Sequence, residues 1–141
     1  MLPAEERSIR FGMFHVNDKA ERLLRPDPSA ALLVMHTSFL DLVKTHYRTQ
    51  NRWQVSDKKV LEDLRQWEPA LAAQVERFVS AVDAGTKFAI WTEILDYVMA
   101  PLGGRKPVAE SNCPCEACRR DLEGLKALHP TRPSPQLSTS P

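Results

Sequence analysis

DPSAALLVMHTSFLDLVKTHYRTQN, residues 27–51, is the stretch that predicts the fold. Asp27 is suited to cap a helix N-terminus, and Pro28 fits the first helical position, where no backbone N–H is needed. Asn51 is a suitable end, because asparagine tolerates the left-handed conformation that closes many helices. A helix of this length spans roughly 35 Å, the width of a small domain. Between its ends, apolar residues recur at helical spacing: residues 30–35, Phe39, Leu42, Val43 and Tyr47.

So wide an apolar stripe is typical of a helix that several neighbours bury. We interpret it as the central rod of an all-α, up-and-down bundle of about five helices, because short connections favour antiparallel neighbours. No segment shows the sustained alternation of a β-strand, so no sheet is predicted. The same spacing argument predicts four more helices: residues 5–24, residues 57–66 after a cap at Ser56, one from Pro69 to Gly85, and one from Thr86 to Pro101.

The buried core is predicted from the inward face of each helix. His36 shares a face with Phe39, Leu40 and Val43, so we expect a buried, hydrogen-bonded histidine. The residues predicted to be largely buried are Leu32, Met35, Phe39, Leu42, Val43, Leu64, Val75, Phe78, Val79, Trp91, Leu95 and Val98.

Composition divides the chain after Gly104. Seven of the eleven prolines lie beyond residue 100. We predict a helical bundle over residues 1–104 and a linker with a short Cys-containing helix over residues 105–129. The Pro-, Ser- and Thr-rich residues 130–141 are predicted to be a disordered tail.

Charge and hydropathy narrow the classes of partner. Lys and Arg total 19 against 18 Asp and Glu, so a net charge of +1 gives no general attraction to DNA or to anionic membranes. No apolar run approaches the roughly 20 residues that span a bilayer. Residues 1–10 carry four charges and no apolar centre, unlike a secretion signal. We therefore expect a cytoplasmic protein that binds neither membranes nor DNA.

Three cysteines form the densest cluster of potential metal ligands. Cys113, Cys115 and Cys118 lie within six residues, and His129 is the nearest further ligand. Structural zinc needs four ligands in a tetrahedron, and His129 would have to fold back along a helix roughly 15 Å long. We expect no cofactor, and the alternative is a small metal-binding regulator that holds zinc through these cysteines.

Arg10 and His15 match the Arg-x4-His spacing that some helical ribonucleases use. Phe11 stands where a polar residue usually follows the arginine. The pattern is short enough to arise by chance in a chain of this composition. A ribonuclease that uses Arg10 and His15 is thus an alternative to the main interpretation rather than the main interpretation itself.

A cluster of aromatic and cationic residues follows the central helix. Tyr47, Asn51, Arg52, Trp53 and Lys58 could stack on a base and hold a phosphate, so they are our candidate ligand-binding residues. The residues alone favour a plainer alternative, in which Trp53 plugs one end of the bundle and the charged groups are solvated.

Several short patterns over residues 8–104 together resemble a known module. It is the helical domain that follows the catalytic domain in bacterial nucleotidyltransferase-domain proteins, similar to kanamycin nucleotidyltransferase and to the minimal-nucleotidyltransferase/HEPN group. The residues that carry the resemblance are Leu23-Leu24-Arg25-Pro26-Asp27, Tyr47, Asn51-Arg52-Trp53, Lys58, Leu61, Glu68-Pro69-Ala70-Leu71-Ala72, Asp96-Tyr97-Val98 and Gly103-Gly104.

The resemblance implies a binding module without its catalytic domain. The family's Gly-Ser turn and spaced aspartate pair are missing, since Gly12 is followed by Met13. We expect a non-catalytic interaction or substrate-binding module, possible ligands being nucleotides. Its partner would be a separate nucleotidyltransferase chain or a second copy. The surface expected to form a homodimer involves Phe11, Phe14 or Val16 of the first helix, or Leu33 and Leu40 of the central helix.

Overall fold

The computed structural model describes residues 1–105, and the predicted Cys-containing helix, zinc ligands and tail lie outside this range. Within it the chain is helical and has no β-strand, which confirms the all-α prediction. Two short 3-10 turns lie at Asp57–Lys59 and Ala100–Leu102. The five helices are α1 Pro3–Leu23, α2 Pro28–Thr49, α3 Val60–Trp67, α4 Pro69–Ser80 and α5 Ala84–Met99.

The ends of α2 form as the sequence predicts. The Asp27 carboxylate accepts a hydrogen bond of 3.1 Å from the Ala30 backbone N–H, and Pro28 occupies the first helical position. Asn51 has a φ of 53°, the left-handed conformation expected just beyond the helix. Local chemistry therefore sets both boundaries of this helix.

The boundaries of α3 and α5 differ from the prediction. Ser56 precedes the 3-10 turn but makes no side-chain capping bond. Gly85 lies inside α5 rather than at the end of α4, because Asp83 caps α5 and accepts a 2.9 Å bond from the Thr86 backbone N–H. The Thr86 hydroxyl donates to the same carboxylate, and these bonds lower the pKa of Asp83.

Helix α1 runs antiparallel to α2 and also packs on α5. An ion pair between Glu5 and Arg48 joins the start of α1 to the end of α2. The Trp91 indole N–H donates a 3.3 Å bond to the Asn17 side chain and ties α5 to α1 inside the core.

Helices α2 and α5 run in the same direction through the centre. His36 contacts Lys87 near the starts of the two helices, and the His46 and Tyr97 rings lie 5.3 Å apart near their ends. The second pair lies ten residues after the first in each helix, so the two helices are parallel. The centre of the bundle is therefore formed by α2, the predicted central rod, together with α5.

Helix α4 returns in the opposite direction. Phe78, near its end, stacks on Phe39 at 4.0 Å, while Glu68, just before its start, contacts His46 near the end of α2. The four long helices α1, α2, α4 and α5 thus alternate in direction, with the short α3 packed on α4. The up-and-down arrangement is confirmed.

Ten of the twelve predicted core residues are buried, among them Phe39, Trp91 and Leu95. Leu32 is half-buried against the core. Val79 is 66% exposed, so that prediction is wrong. Val79 lies on the same side of α4 as the buried Ala72, but in the last turn of the helix.

The prediction of a buried His36 is also wrong. His36 is exposed, and its Nε2 lies 3.0 Å from the Nζ of Lys87, which is buried and sits over the Phe78 ring. Lys87 donates to an unprotonated Nε2, so the imidazole is neutral in this arrangement. Partial desolvation, and then the charge of Lys87, lower the pKa of His36 below its ordinary 6.5.

This pair predicts a pH-dependent contribution to stability. Because the pKa of His36 is lower when folded, its contribution is complete above about pH 6.5 and is lost as the pH falls through the folded pKa. Between pH 7.5 and pH 5.5 the melting temperature of the wild type should fall further than that of His36→Gln. Differential scanning calorimetry at both pH values measures this, and other histidines cancel in the comparison. Equal falls would contradict the assignment.

Candidate functional site

An open cleft of about 400 Å³ lies where α2 ends, beside the start of α1. It contains three of the five candidate ligand-binding residues, and we call it the terminal cleft. Tyr47 and Lys58 do not line it. Its lining residues are Met1, Glu5, Arg48, Asn51, Arg52 and Trp53.

Trp53 is the most exposed large apolar side chain of residues 1–105, with 95% of its surface accessible. The alternative in which Trp53 plugs one end of the bundle is therefore wrong. Its connection leaves the left-handed Asn51 and runs outside the helices, which keeps the indole away from the core. Both faces of the indole are open to a planar ligand.

Arg52 is held in place by a second tryptophan. Its guanidinium carbon lies 4.2 Å from the centre of the Trp67 ring, a cation–π arrangement. The guanidinium N–H groups make no hydrogen bond or ion pair within residues 1–105. An arginine fixed through its face leaves these N–H groups, at its edge, for an incoming acceptor.

Behind Arg52, one carboxylate fixes two aromatic side chains. The Asp63 Oδ2 accepts a 2.8 Å bond from the Trp67 indole N–H and a 2.7 Å bond from the Tyr47 hydroxyl. Tyr47 is only 1% exposed, and burial, followed by this bond, raises its pKa to about 12. Tyr47 thus remains a protonated donor that supports the cleft from inside, and its contact with a ligand stays a prediction.

The structure adds one residue to the terminal cleft that the sequence did not predict. Arg48, in the last turn of α2, lines the cleft and pairs with Glu5 across it. Lys58 lies exposed on the 3-10 turn and does not line the cleft, so its contact with a ligand stays a prediction. Helical spacing could not have found Arg48 from Arg52, because Arg52 lies beyond the end of α2 at Thr49.

A second polar cluster lies beside Trp67 and was not predicted. His46 stacks on Trp67, the rings 5.4 Å apart and 7° from parallel, and its Nε2 lies 3.3 Å from the Glu68 carboxylate. Glu68 also accepts a 2.7 Å bond from the Tyr97 hydroxyl, which raises the pKa of Tyr97. The buried His46 Nδ1 has no hydrogen-bond partner within residues 1–105. This cluster locks the junction of α3 and α4 against α2 and α5.

Comparisons with known protein families, with curated proteins and with solved structures find no match to this chain. The resemblance to nucleotidyltransferase-associated helical domains therefore stays a prediction from the residues. Among residues 1–105, every helix is too short or too polar to traverse a lipid bilayer.

The two alternative sites predicted from the sequence, the Arg10–His15 pair and the cysteine cluster, have less geometric support than the terminal cleft. Arg10 and His15 lie about 140° apart around α1, so the helix does not present them on one face. Arg10 lies against Gly103, and His15 contacts Phe11 at 4.3 Å. Residues 1–105 contain no group of three His, Cys, Asp or Glu side chains able to hold a metal, and the cysteine cluster lies outside them.

Proposed function

We propose that this chain is a non-catalytic helical binding module that takes a nucleotide in the terminal cleft and works with a nucleotidyltransferase. The observation that carries the proposal is an uncovered Trp53 next to an Arg52 that Trp67 holds from behind. The absence of the family's Gly-Ser turn and aspartate pair from the sequence supports the non-catalytic role.

A nucleotide matches the chemistry of the cleft. Every base has a face that stacks on an aromatic ring, and such stacking contributes about 1–3 kcal/mol per base. The planar fork of Arg52 fits two oxygens of a phosphate. Arg48 is close enough to share the phosphate, although the ligand would then compete with Glu5. The bundle holds the frame of Arg52 in advance, so little ordering is needed on binding.

Titration with adenosine and guanosine monophosphates tests this proposal. Trp53→Ala should weaken binding about 5- to 150-fold, the equivalent of one stacked base. Trp53→Phe should retain most of the affinity because it keeps an aromatic face. Val82→Ala is the control, since Val82 is 87% exposed in the connection before α5, and it should leave affinity unchanged. Isothermal calorimetry with no binding by the wild type would reject the nucleotide proposal.

A protein partner is the second candidate function, because the same cleft carries exposed apolar residues. Leu2 is 71% exposed beside the cleft residue Met1, and exposed Trp and Arg are the residue types most often central to protein interfaces. The occupant would be a separate nucleotidyltransferase chain or a second copy of this chain. The dimer surface expected on α2 is available too, since Leu33 and Leu40 are exposed, whereas Phe11, Phe14 and Val16 are half-buried.

Sedimentation at micromolar concentration separates the two candidates. A dimer that Trp53→Ala converts to monomer would favour the protein interface at the terminal cleft. A dimer lost only in Leu33→Asp would place the interface on α2 and leave the cleft free. If the wild type and both variants are monomers, self-association is rejected.

A further inference from the structure

A second cleft, of about 450 Å³, runs between α1 and α2 and adjoins the terminal cleft. Arg48 lines both clefts. Trp53 lines the terminal cleft, and the next residue, Gln54, lines the second one. We call this second space the lateral cleft. A ligand that extends past Arg48 from Trp53 would enter it.

Polar side chains surround an apolar floor in the lateral cleft. Ile9 and Met13 of α1 pack against the core from this side. The Ser8 hydroxyl, the Asp41 carboxylate and the Gln54 amide also line it, and none makes a side-chain hydrogen bond within residues 1–105. Donors and acceptors above an apolar surface match the hydroxyls and base edge of a nucleoside.

The charges of the lateral cleft disfavour a run of phosphates. Lys44 is held by Asp57 at 2.7 Å, and this bond raises the pKa of Lys44, so its charge is already paired. Asp41 would repel a second or third phosphate group. One phosphate held by Arg52, and by Arg48 once the phosphate displaces Glu5, followed by a second nucleoside fits these charges better than a triphosphate tail.

We infer that the module binds two nucleosides joined through phosphate: one base on Trp53, the linking phosphate at Arg52 and Arg48, and the second nucleoside in the lateral cleft. This inference rests on the proposed nucleotide function and extends it. A free dinucleotide and a segment of single-stranded RNA both present this chemistry.

Gly12 offers a way to close the lateral cleft without disturbing the terminal one. It lies within α1, and a Cβ added there meets no atom within 4 Å. Leucine and alanine are better helix formers than glycine, so neither variant should weaken the fold. Gly12→Leu places a branched side chain in the cleft, whereas Gly12→Ala adds one methyl group and leaves most of the space.

The test is calorimetric titration of the full chain with adenosine monophosphate, adenosine triphosphate, adenylyl-adenosine and hexa-adenylate RNA. The wild type should bind adenylyl-adenosine at least tenfold more tightly than the monophosphate. Gly12→Leu should remove this advantage without changing affinity for the monophosphate, and Gly12→Ala should retain it. Trp53→Ala should weaken binding of both ligands.

Failure of this inference can be distinguished from failure of the proposed function. If the monophosphate binds but adenylyl-adenosine binds no more tightly, or Gly12→Leu binds both as the wild type does, the lateral cleft is not a nucleoside site. Tighter binding of adenosine triphosphate than of adenylyl-adenosine would also overturn the inference. If no nucleotide binds, both proposals fail. If hexa-adenylate RNA binds more tightly than adenylyl-adenosine, the ligand is a segment of RNA. If the two bind equally, the ligand is a free dinucleotide.

Discussion

Phe39→Ala is expected to lower the free energy of unfolding by about 3–5 kcal/mol, close to the whole stability of a small domain. Phe39 lies on α2 and stacks on Phe78 of α4, with the rings 4.0 Å apart and 15° from parallel. It is 7% exposed and surrounded by the main cluster of buried side chains. Truncation therefore removes both the buried ring and the contact that holds α4 to α2. Urea unfolding followed by circular dichroism measures the loss.

Val79→Ala is the matched control on the neighbouring helix. Val79 follows Phe78 directly, yet it is 66% exposed, so its truncation should change stability by less than about 0.5 kcal/mol. A loss below about 1 kcal/mol in Phe39→Ala would mean that α2 does not lie at the centre of the bundle. An equal loss in the two variants would contradict the assigned orientation of α4.

Sequence periodicity predicted the helices well because it depends on each helix alone. The cap at Asp27 and the left-handed Asn51 are local chemistry, and both formed as expected. Periodicity does not reveal which turns of a helix its neighbours cover. Val79 continues the stripe of α4 but is exposed in its last turn, and His36 faces the buried amine of Lys87 rather than the core.

The candidate site was predictable only where its residues are adjacent in the chain. Asn51, Arg52 and Trp53 stand together in the sequence, and all three line the terminal cleft. The supporting contacts join α2 to α3, such as the bond from Tyr47 to Asp63, and no sequence spacing encodes them. Trp67 ends α3, and its ring carries the guanidinium of Arg52 from the connection after α2.

The core and the terminal cleft are therefore mechanically connected through one carboxylate. Asp63 fixes Trp67, Trp67 fixes Arg52, and the other partner of Asp63 is the fully buried Tyr47. A change at Asp63 should appear both in stability and in ligand binding. A change at Trp53, which touches none of this frame, should affect binding alone.

Asp63→Ala is expected to lower the free energy of unfolding by about 2–4 kcal/mol, because two donors lose their acceptor. The Tyr47 side chain is fully buried, whereas Trp67 is only half-buried, so the Tyr47 hydroxyl should account for most of the loss. Asp63→Asn should cost only about 1 kcal/mol, since one amide oxygen can accept from both groups, as the Oδ2 of Asp63 does. Urea unfolding of each variant measures these losses.

A double-mutant cycle with Tyr47→Phe identifies the cause of the loss. In the Asp63→Ala background, Tyr47→Phe removes the stranded hydroxyl, so the double variant should lose less stability than the sum of the single variants. Strictly additive losses would show that Asp63 does not hold Tyr47. The Tyr47→Phe variant should still bind a nucleotide, because Asp63 continues to fix Trp67 and through it Arg52. Asp63→Ala should weaken binding even at temperatures where it is fully folded, since the Trp67 ring that positions Arg52 is then no longer fixed by Asp63.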